Sequence, residues 1–495
     1  MRFWVIFAIF LYLFVGTILA FVAKRGKSMS DLEEFFLARR TLGGVLSALT
    51  YSATTYSAFM MIGLAGLTYT GGVGSLGFEL TYLAGLVLIV WFGPKFWEFG
   101  KRYGVISPAE MLGRIYGSER VAFAFALVCI IFLVPYSAVQ LMGIGYSLDV
   151  MSKGVIPFSL GIVIAATVAI VWSFTGGMRS VAWTDAFQAG LMFISSLVAL
   201  LFIVYKGFGG FGEFFGILES NYSQYLCVPG PGFFKLSTFL GLTVPWFFFS
   251  ISNPQVSQRL FVPRSLKSLR NMLWGFLIFG FFYTIIVILW GFAARALIPS
   301  LDKPDLATPT LLSLPIVPPF IAILVMIGVV SAAISTIDSV LLTLSSMVSK
   351  DLFGKLPEDK QILIGKLSLF LLTGAVLIFA YMRPSMIVLL SVSSSAGLLS
   401  LVPAIIGAFY WKRSSERGAF WSIVLGAFIT GVLFAFKINP MGLMPGIWSI
   451  IISSGIFVLF SLIFPLKRRE RLKDGALREE GLGYTRGGLS GPDKG

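Results

Sequence analysis

The 495-residue chain has no histidine, only two cysteines and few charges, with 12% of its residues Asp, Glu, Lys or Arg. The missing histidine removes the commonest transition-metal ligand and the commonest proton relay near neutral pH. The cysteines stand alone, Cys129 inside an apolar run and Cys227 in a loop, so they build no disulfide framework and say nothing of a redox compartment. With solitary thiols and scattered carboxylates there is no clustered nucleophile, metal set or acid–base pair, and an enzyme is not expected. The scarcity of charge also excludes an ordinary soluble domain.

What is present is apolar sequence: 57% of the residues are hydrophobic and the mean hydropathy is +0.89. Apolar runs of the length that crosses a bilayer occur at 3–22, 44–70, 75–93, 121–148, 155–173, 182–205, 236–254, 271–297, 316–347, 362–381, 384–411, 418–436 and 446–465. The pattern predicts an all-α integral membrane protein with about 13 transmembrane helices.

Alternate segments between these runs hold most of the 38 Lys and Arg, including Arg39, Arg40, Arg179, Arg259 and Lys350. Basic loops face the cytoplasm, so an odd number of spans puts the N-terminus outside a cell membrane and the C-terminus inside. The net charge of +15 is then orientation signal and lipid-facing charge. Membrane lipid is the expected partner and nucleic acid is not. The first run is too long for a secretory signal and its positive cluster follows it, which marks a retained helix. Residues 467–495, basic and rich in glycine, read as a disordered cytoplasmic tail too small for a sensory output domain.

Two of the spans are interrupted. Thr50-Tyr51-Ser52-Ala53-Thr54-Thr55-Tyr56-Ser57 places small and polar residues of poor helix propensity in the middle of 44–70. Pro245 and Ser250-Ile251-Ser252-Asn253-Pro254 do the same near 236–254, and each proline leaves a backbone carbonyl needing another partner. Each interrupted span opens a set of five, 44–206 and 236–411. Residues 1–43 are then an extra N-terminal helix and loop, and 412–466 two extra C-terminal helices. A single Ser or Thr is more often a small packing surface between helices. Breaks at corresponding places in two halves point instead to a secondary transporter with its site near the midplane.

Within 316–347 lies Ala332-Ala333-Ile334-Ser335-Thr336-Ile337-Asp338. Polar groups at membrane depth are expensive and mark function by default. Ala332, Ser335 and Thr336 stand at i, i+3 and i+4 on one helical face, and a hard cation prefers such neutral oxygens. At about 100° per residue Asp338 points about 240° away from Ala332. It is expected to meet a neighbouring helix or to act as an anion outside the ligand sphere.

These residues resemble the sodium/solute symporter family, the group that includes the bacterial sodium/proline and sodium/galactose symporters. The resemblance spans roughly 5–465. It is carried by Leu32-Glu33-Glu34-Phe35-Phe36-Leu37-Ala38-Arg39-Arg40, by Gly176-Gly177-Met178-Arg179-Ser180-Val181-Ala182-Trp183-Thr184-Asp185 with Gln188, and by Ala332 to Thr336 followed by Asp351-Leu352-Phe353. It implies a leucine-transporter-like core of two inverted five-helix repeats with discontinuous first and sixth core helices. It also implies a co-transported sodium ion held by the carbonyls of Ala53, Tyr56 and Ala332 and the hydroxyls of Ser335 and Thr336. Asp185 matches an aspartate associated with sodium affinity and release; an N-cap at the cytoplasmic end of its helix is an equal expectation. Matching substrate positions are Tyr136 and Trp246, with Gln140 one turn from Tyr136 in the third core helix and Ser57, Ser250 and Pro254 at or near the breaks. Thr55 stands where the sodium/proline symporter is acidic, and Ser250 where it has an aromatic, so the solute is not implied.

The expected function is sodium-coupled symport of a small organic solute by alternating access, by a chain working as a monomer. An amino acid such as proline or a small organic acid is favoured. Proton coupling, for which Asp185 and Asp338 are the carboxylates available, and sodium-coupled transport of a sugar or of pantothenate are the alternatives.

Overall fold

Every regular element among the described residues of this computed structural model, 2–26, 31–383 and 387–465, is helical. The one isolated bridge there pairs Leu42 with Pro263. The expected tail at 467–495 lies outside the described residues.

The first helix, α1 (Arg2–Lys24), turns much of its apolar surface outward, including Phe3, Trp4, Phe10 and Phe14. A short α2 (Leu32–Leu37) follows, capped by the Asp31 carboxylate, which accepts from the Glu33 N–H at 2.9 Å. Helix α3 (Gly44–Thr55) stops at Tyr56, whose φ of −87° and ψ of 96° are extended. The chain resumes through a π-helical turn, Phe59–Leu64, into α4 (Ala65–Gly71). Helices α5 (Gly74–Gly85) and α6 (Val87–Tyr103) together make one apolar segment. Next come α7 (Pro108–Tyr116) and α8 (Glu119–Ser152), which runs unbroken past Pro135.

Helix α9 (Phe158–Ile203) covers two expected spans. Its backbone leaves helical geometry at Gly176 and Gly177. Gly177 has φ +53°, and a Cβ there would stand 2.1 Å from the Phe35 carbonyl oxygen, so only glycine allows α2 to lie against this bend. After α10 (Phe211–Tyr222) comes the second interrupted segment. Helix α11 (Leu236–Ser252) ends at Asn253, φ −89° and ψ 111°, and α12 (Pro254–Ser257) restarts with proline in its first turn, where the missing N–H is harmless. The remaining helices are α13 (Leu266–Leu297), α14 (Ala307–Leu312), α15 (Pro319–Met347), α16 (Glu358–Met382), α17 (Ile387–Leu398), α18 (Val402–Tyr410), α19 (Glu416–Ala435) and α20 (Pro445–Ile463).

Ten segments among the described residues are long and apolar enough to cross a membrane. That number is below the expected 13 for physical reasons: the breaks shorten the pieces at 44–71 and 236–257, and the bend in α9 joins two spans. Helix α15 is the axis of the bundle. Every residue from Val325 to Met347 is buried, and the helix packs chiefly on α9 and α8, with α16 and α3 beside it.

Basic loops gather at one end. Arg179 Nε donates to Glu34 at 2.7 Å and its Nη2 to the Ala38 carbonyl at 3.2 Å, which joins two of the motifs singled out in the sequence. Arg40 donates to the carbonyls of Val105, at 2.6 Å, and Phe261, at 3.3 Å. At the same end Ser107 donates to Asp351 at 2.6 Å and Ser118 to Glu416 at 2.6 Å.

Candidate functional site

The end of α3 frees backbone groups that a continuous helix would pair. The Ala58 N–H, which would otherwise return to Thr54, donates to Gln140 Oε1 at 3.1 Å. Two carbonyls of the last turn of α3 are then left for α15. The Ala53 oxygen accepts from Ser335 Oγ at 2.9 Å and from Thr336 Oγ1 at 3.3 Å, and the Thr54 oxygen lies 3.3 Å from the same Thr336 hydroxyl. Both hydroxyls also reach the Ala332 carbonyl, at 3.0 and 3.2 Å. Ala53, Ala332, Ser335 and Thr336 thus converge as neutral oxygens in a fully buried knot. This donor set suits a hard monovalent cation, because it replaces hydration oxygens without demanding deprotonation. Tyr56 follows one residue after the helix end. Its N–H donates to the Ser52 carbonyl at 2.8 Å and its ring stacks on Phe276 at 5.3 Å.

A few residues along the same break is a narrow cavity with room for about one water molecule, lined by Thr55, Tyr56, Ser57, Met60, Glu79 and a set of aromatic rings. Ser57, Tyr136 and Trp246, named from sequence, all line it. Trp246 packs on Phe59, Phe78 and Phe249 at 5.1, 5.2 and 5.4 Å between ring centres. Gln140, Ser250 and Pro254 are not among its lining residues. Gln140 braces the break from α8, Ser250 Oγ lies 3.4 Å from the Gly85 carbonyl, and Pro254 starts α12.

Behind α3 lies a buried charged cluster. Asp185 is not a helix cap: it stands about two turns beyond the bend in α9, fully buried, and accepts from Thr50 Oγ1 at 2.6 Å. Its other neighbour is Arg259, with Nη2 3.7 Å from the same carboxylate oxygen and 2.6 Å from Ser339 Oγ. Ser339 in turn meets Thr54 Oγ1 at 2.9 Å. The sequence assigned Arg259 to a basic loop; the fold carries it inside, with no exposed surface, because the turn Gln258–Phe261 after α12 folds back under α3 and α15. Asp338 is also fully buried, near Asp185 and Arg259, and neither carboxylate oxygen has a hydrogen-bond partner among the described residues.

Sequence reasoning missed Glu79. It lies within the apolar run 75–93, and a lone carboxylate in such a run was the available signal. Within the long apolar helices the buried carboxyls therefore include Glu79 beside Asp185 and Asp338, the two expected.

A sequence profile described as the sodium:solute symporter family matches residues 35–426. A sodium/pantothenate symporter of Escherichia coli (strain K12) is 28% identical over 471 residues, covering 92% of this chain and 95% of that protein. A sodium/proline symporter of Staphylococcus aureus is 23% identical, covering 96% of this chain and 94% of its own length. Among solved structures, a Na+-coupled sialic acid symporter in a substrate-bound outward-open state superposes with a TM-score of 0.78 at 19% identity, over 94% of this chain and 98% of that one.

Proposed function

The chain belongs to the sodium:solute symporter family, and from that premise we propose that it takes one small organic solute into the cell together with sodium, by alternating access. Sodium is the coupling ion, as in the symporters it resembles. The observation that carries this proposal is the meeting of the Ala53 and Ala332 carbonyls with the Ser335 and Thr336 hydroxyls at 2.9 to 3.3 Å.

The ion is held by those four oxygens, joined by the Tyr56 carbonyl, and bridges the break after α3 to α15. Sodium entering from outside fastens the two and completes the aromatic cavity one turn away. Coupling then requires only that the outward and inward states differ in affinity for ion and solute together. The membrane potential contributes roughly 2.3 kcal/mol per charge per 100 mV. Asp185 attracts the ion on its way inward, close to the ligand sphere yet outside it. Thirteen spans, counting the broken segments and both arms of α9 separately, give a ten-helix core of two inverted repeats, 44–206 and 236–411. The gathering of the basic loops at one end supports a cytoplasmic C-terminus and an N-terminus outside.

The test is uptake into liposomes bearing the purified protein. A transported solute accumulates only under an inward sodium gradient and leaks back when a sodium ionophore is added. Equal accumulation with potassium in place of sodium would overturn the proposal.

A further inference from the structure

Resting on the symporter reading, we propose that Glu79 selects the solute, and that the solute class is one bearing an ammonium group, cationic or zwitterionic. Glu79 is the carboxyl-bearing residue of the cavity lining, whose other members carry hydroxyl, thioether or aromatic side chains. It is buried, it shares the cavity wall with Trp246, and its Oε2 has no hydrogen-bond partner among the described residues. A buried carboxylate oxygen left open toward a cavity needs a donor, and a positive one compensates it best.

The surrounding surface selects in the same direction. Tyr56, Phe59, Tyr82, Tyr136, Trp246 and Phe249 line the cavity. Tyr82 meets Tyr56 edge-on at 6.3 Å and Phe249 at 5.6 Å between ring centres. Ring faces around a carboxylate attract alkylammonium groups through their quadrupoles. The lining holds no Lys, Arg, Asn or Gln. The buried guanidinium nearby, that of Arg259, is engaged with Ser339 and Asp185 instead. A solute that is only an anion would bring no positive group to the Glu79 carboxyl and would itself lie uncompensated in a dry pocket, which buried sites disfavour strongly. A polyhydroxylated neutral solute would find no side-chain amide there.

Thermal unfolding of the detergent-purified protein, with and without sodium, tests this with matched pairs. L-Proline is set against its ring-oxygen analogue tetrahydrofuroic acid, choline against its uncharged isostere dimethylbutanol, and pantothenate and galactose are run beside them. At least one ammonium compound is expected to raise the melting temperature in sodium, with its uncharged-site partner ineffective at the same concentration. Glu79→Gln is expected to weaken that ligand by about tenfold to a hundredfold, the range of a charge-assisted hydrogen bond. Glu79→Asp should retain the preference, and both variants should keep the shift caused by sodium alone, which shows that they fold. Sodium-dependent stabilisation by pantothenate or galactose, with none by ammonium compounds, overturns the Glu79 assignment and leaves the symporter reading intact. A protein that responds to ammonium compounds identically with Glu79→Gln also overturns it. Absence of any sodium-dependent response, to the ion or to any solute, overturns both.

Discussion

Ser335 donates its hydroxyl to the carbonyl oxygen of Ala53 across 2.9 Å, linking the unbroken helix α15 to the last turn of a helix that stops two residues later. The contact exists because the stop exposes a carbonyl at the height where α15 presents hydroxyls. Ser335→Ala removes one oxygen from the knot and leaves the carbonyl. Sodium affinity is expected to fall on the order of tenfold or more, ~1.4 kcal/mol for each factor of ten. Thr336→Ala should behave alike and Thr336→Ser should remain near the native value. Sodium titrations of the thermal shift measure this; native-like curves for both alanine variants would remove both hydroxyls from the ion site.

Asp185 and Arg259 are both fully buried, so Arg259→Met leaves Asp185 without its cation, while Asp185→Asn leaves Arg259 with Asp338 as its remaining nearby carboxyl. Removing one partner of a buried pair costs about 3–5 kcal/mol. Asp185→Asn and Arg259→Met are each expected to lower the melting temperature in detergent, and the double variant to lose clearly less than their sum. Additivity within about 0.5 kcal/mol would show that the two groups do not interact.

How much of this was legible in the sequence follows from the physics of each feature. That Ser335 and Thr336 share a face with Ala332 was legible from helical periodicity alone, and the break near Ala53 from its poor helix formers; Ala53 itself was singled out only by the family resemblance. The membrane class followed from hydropathy, and the motif holding Glu34 and the motif holding Arg179 were visible separately. Their ion pair was not, since it spans 145 residues and depends on how α2 lies across the bend. Arg259 was counted with the loops because a charge beside Pro263 and Arg264 looks exposed; only the fold-back after α12 buries it. Glu79 could be seen but not placed. The period of α5 does not say which face meets Trp246, and that face decides between a packing helix and a site.

Gly177 offers a test of the bend. A non-glycine residue at φ +53° carries roughly 1–2 kcal/mol of backbone strain, and its Cβ would clash with the Phe35 carbonyl at 2.1 Å. Gly177→Ala should therefore destabilise by more than the strain alone and displace α2, read as a lower melting temperature and faster proteolysis between α1 and α3. Gly190→Ala is the comparison on the same helix, because a Cβ there meets nothing within 4 Å. It is expected to be neutral or stabilising by up to about 1 kcal/mol. If both alanines behave alike, the bend does not require glycine.

Asp305 supplies a pH dependence at the end of the bundle opposite the basic loops. It lies between α13 and α14, is 3% exposed, and its Oδ2 accepts the Ile387 N–H at 3.1 Å. Burial raises its pKa from 3.8 to about 6, against the opposing pull of that N–H and of nearby Lys303. The sign follows from linkage: a carboxyl with a higher pKa folded than unfolded holds more protons in the folded state between those two values. Its contribution to stability is greatest below about pH 4, declines as pH rises through about 6, and is level above that. The shift from 3.8 to about 6 corresponds to at most ~3 kcal/mol. Asp305→Asn keeps an oxygen for the Ile387 N–H and cannot ionise, so it should flatten this part of the profile and stabilise the protein above pH 6. Melting temperatures of the two proteins across that range decide it. Parallel profiles would mean that Asp305 titrates alike in the folded and unfolded chains, and that the loop is wetter than its burial implies.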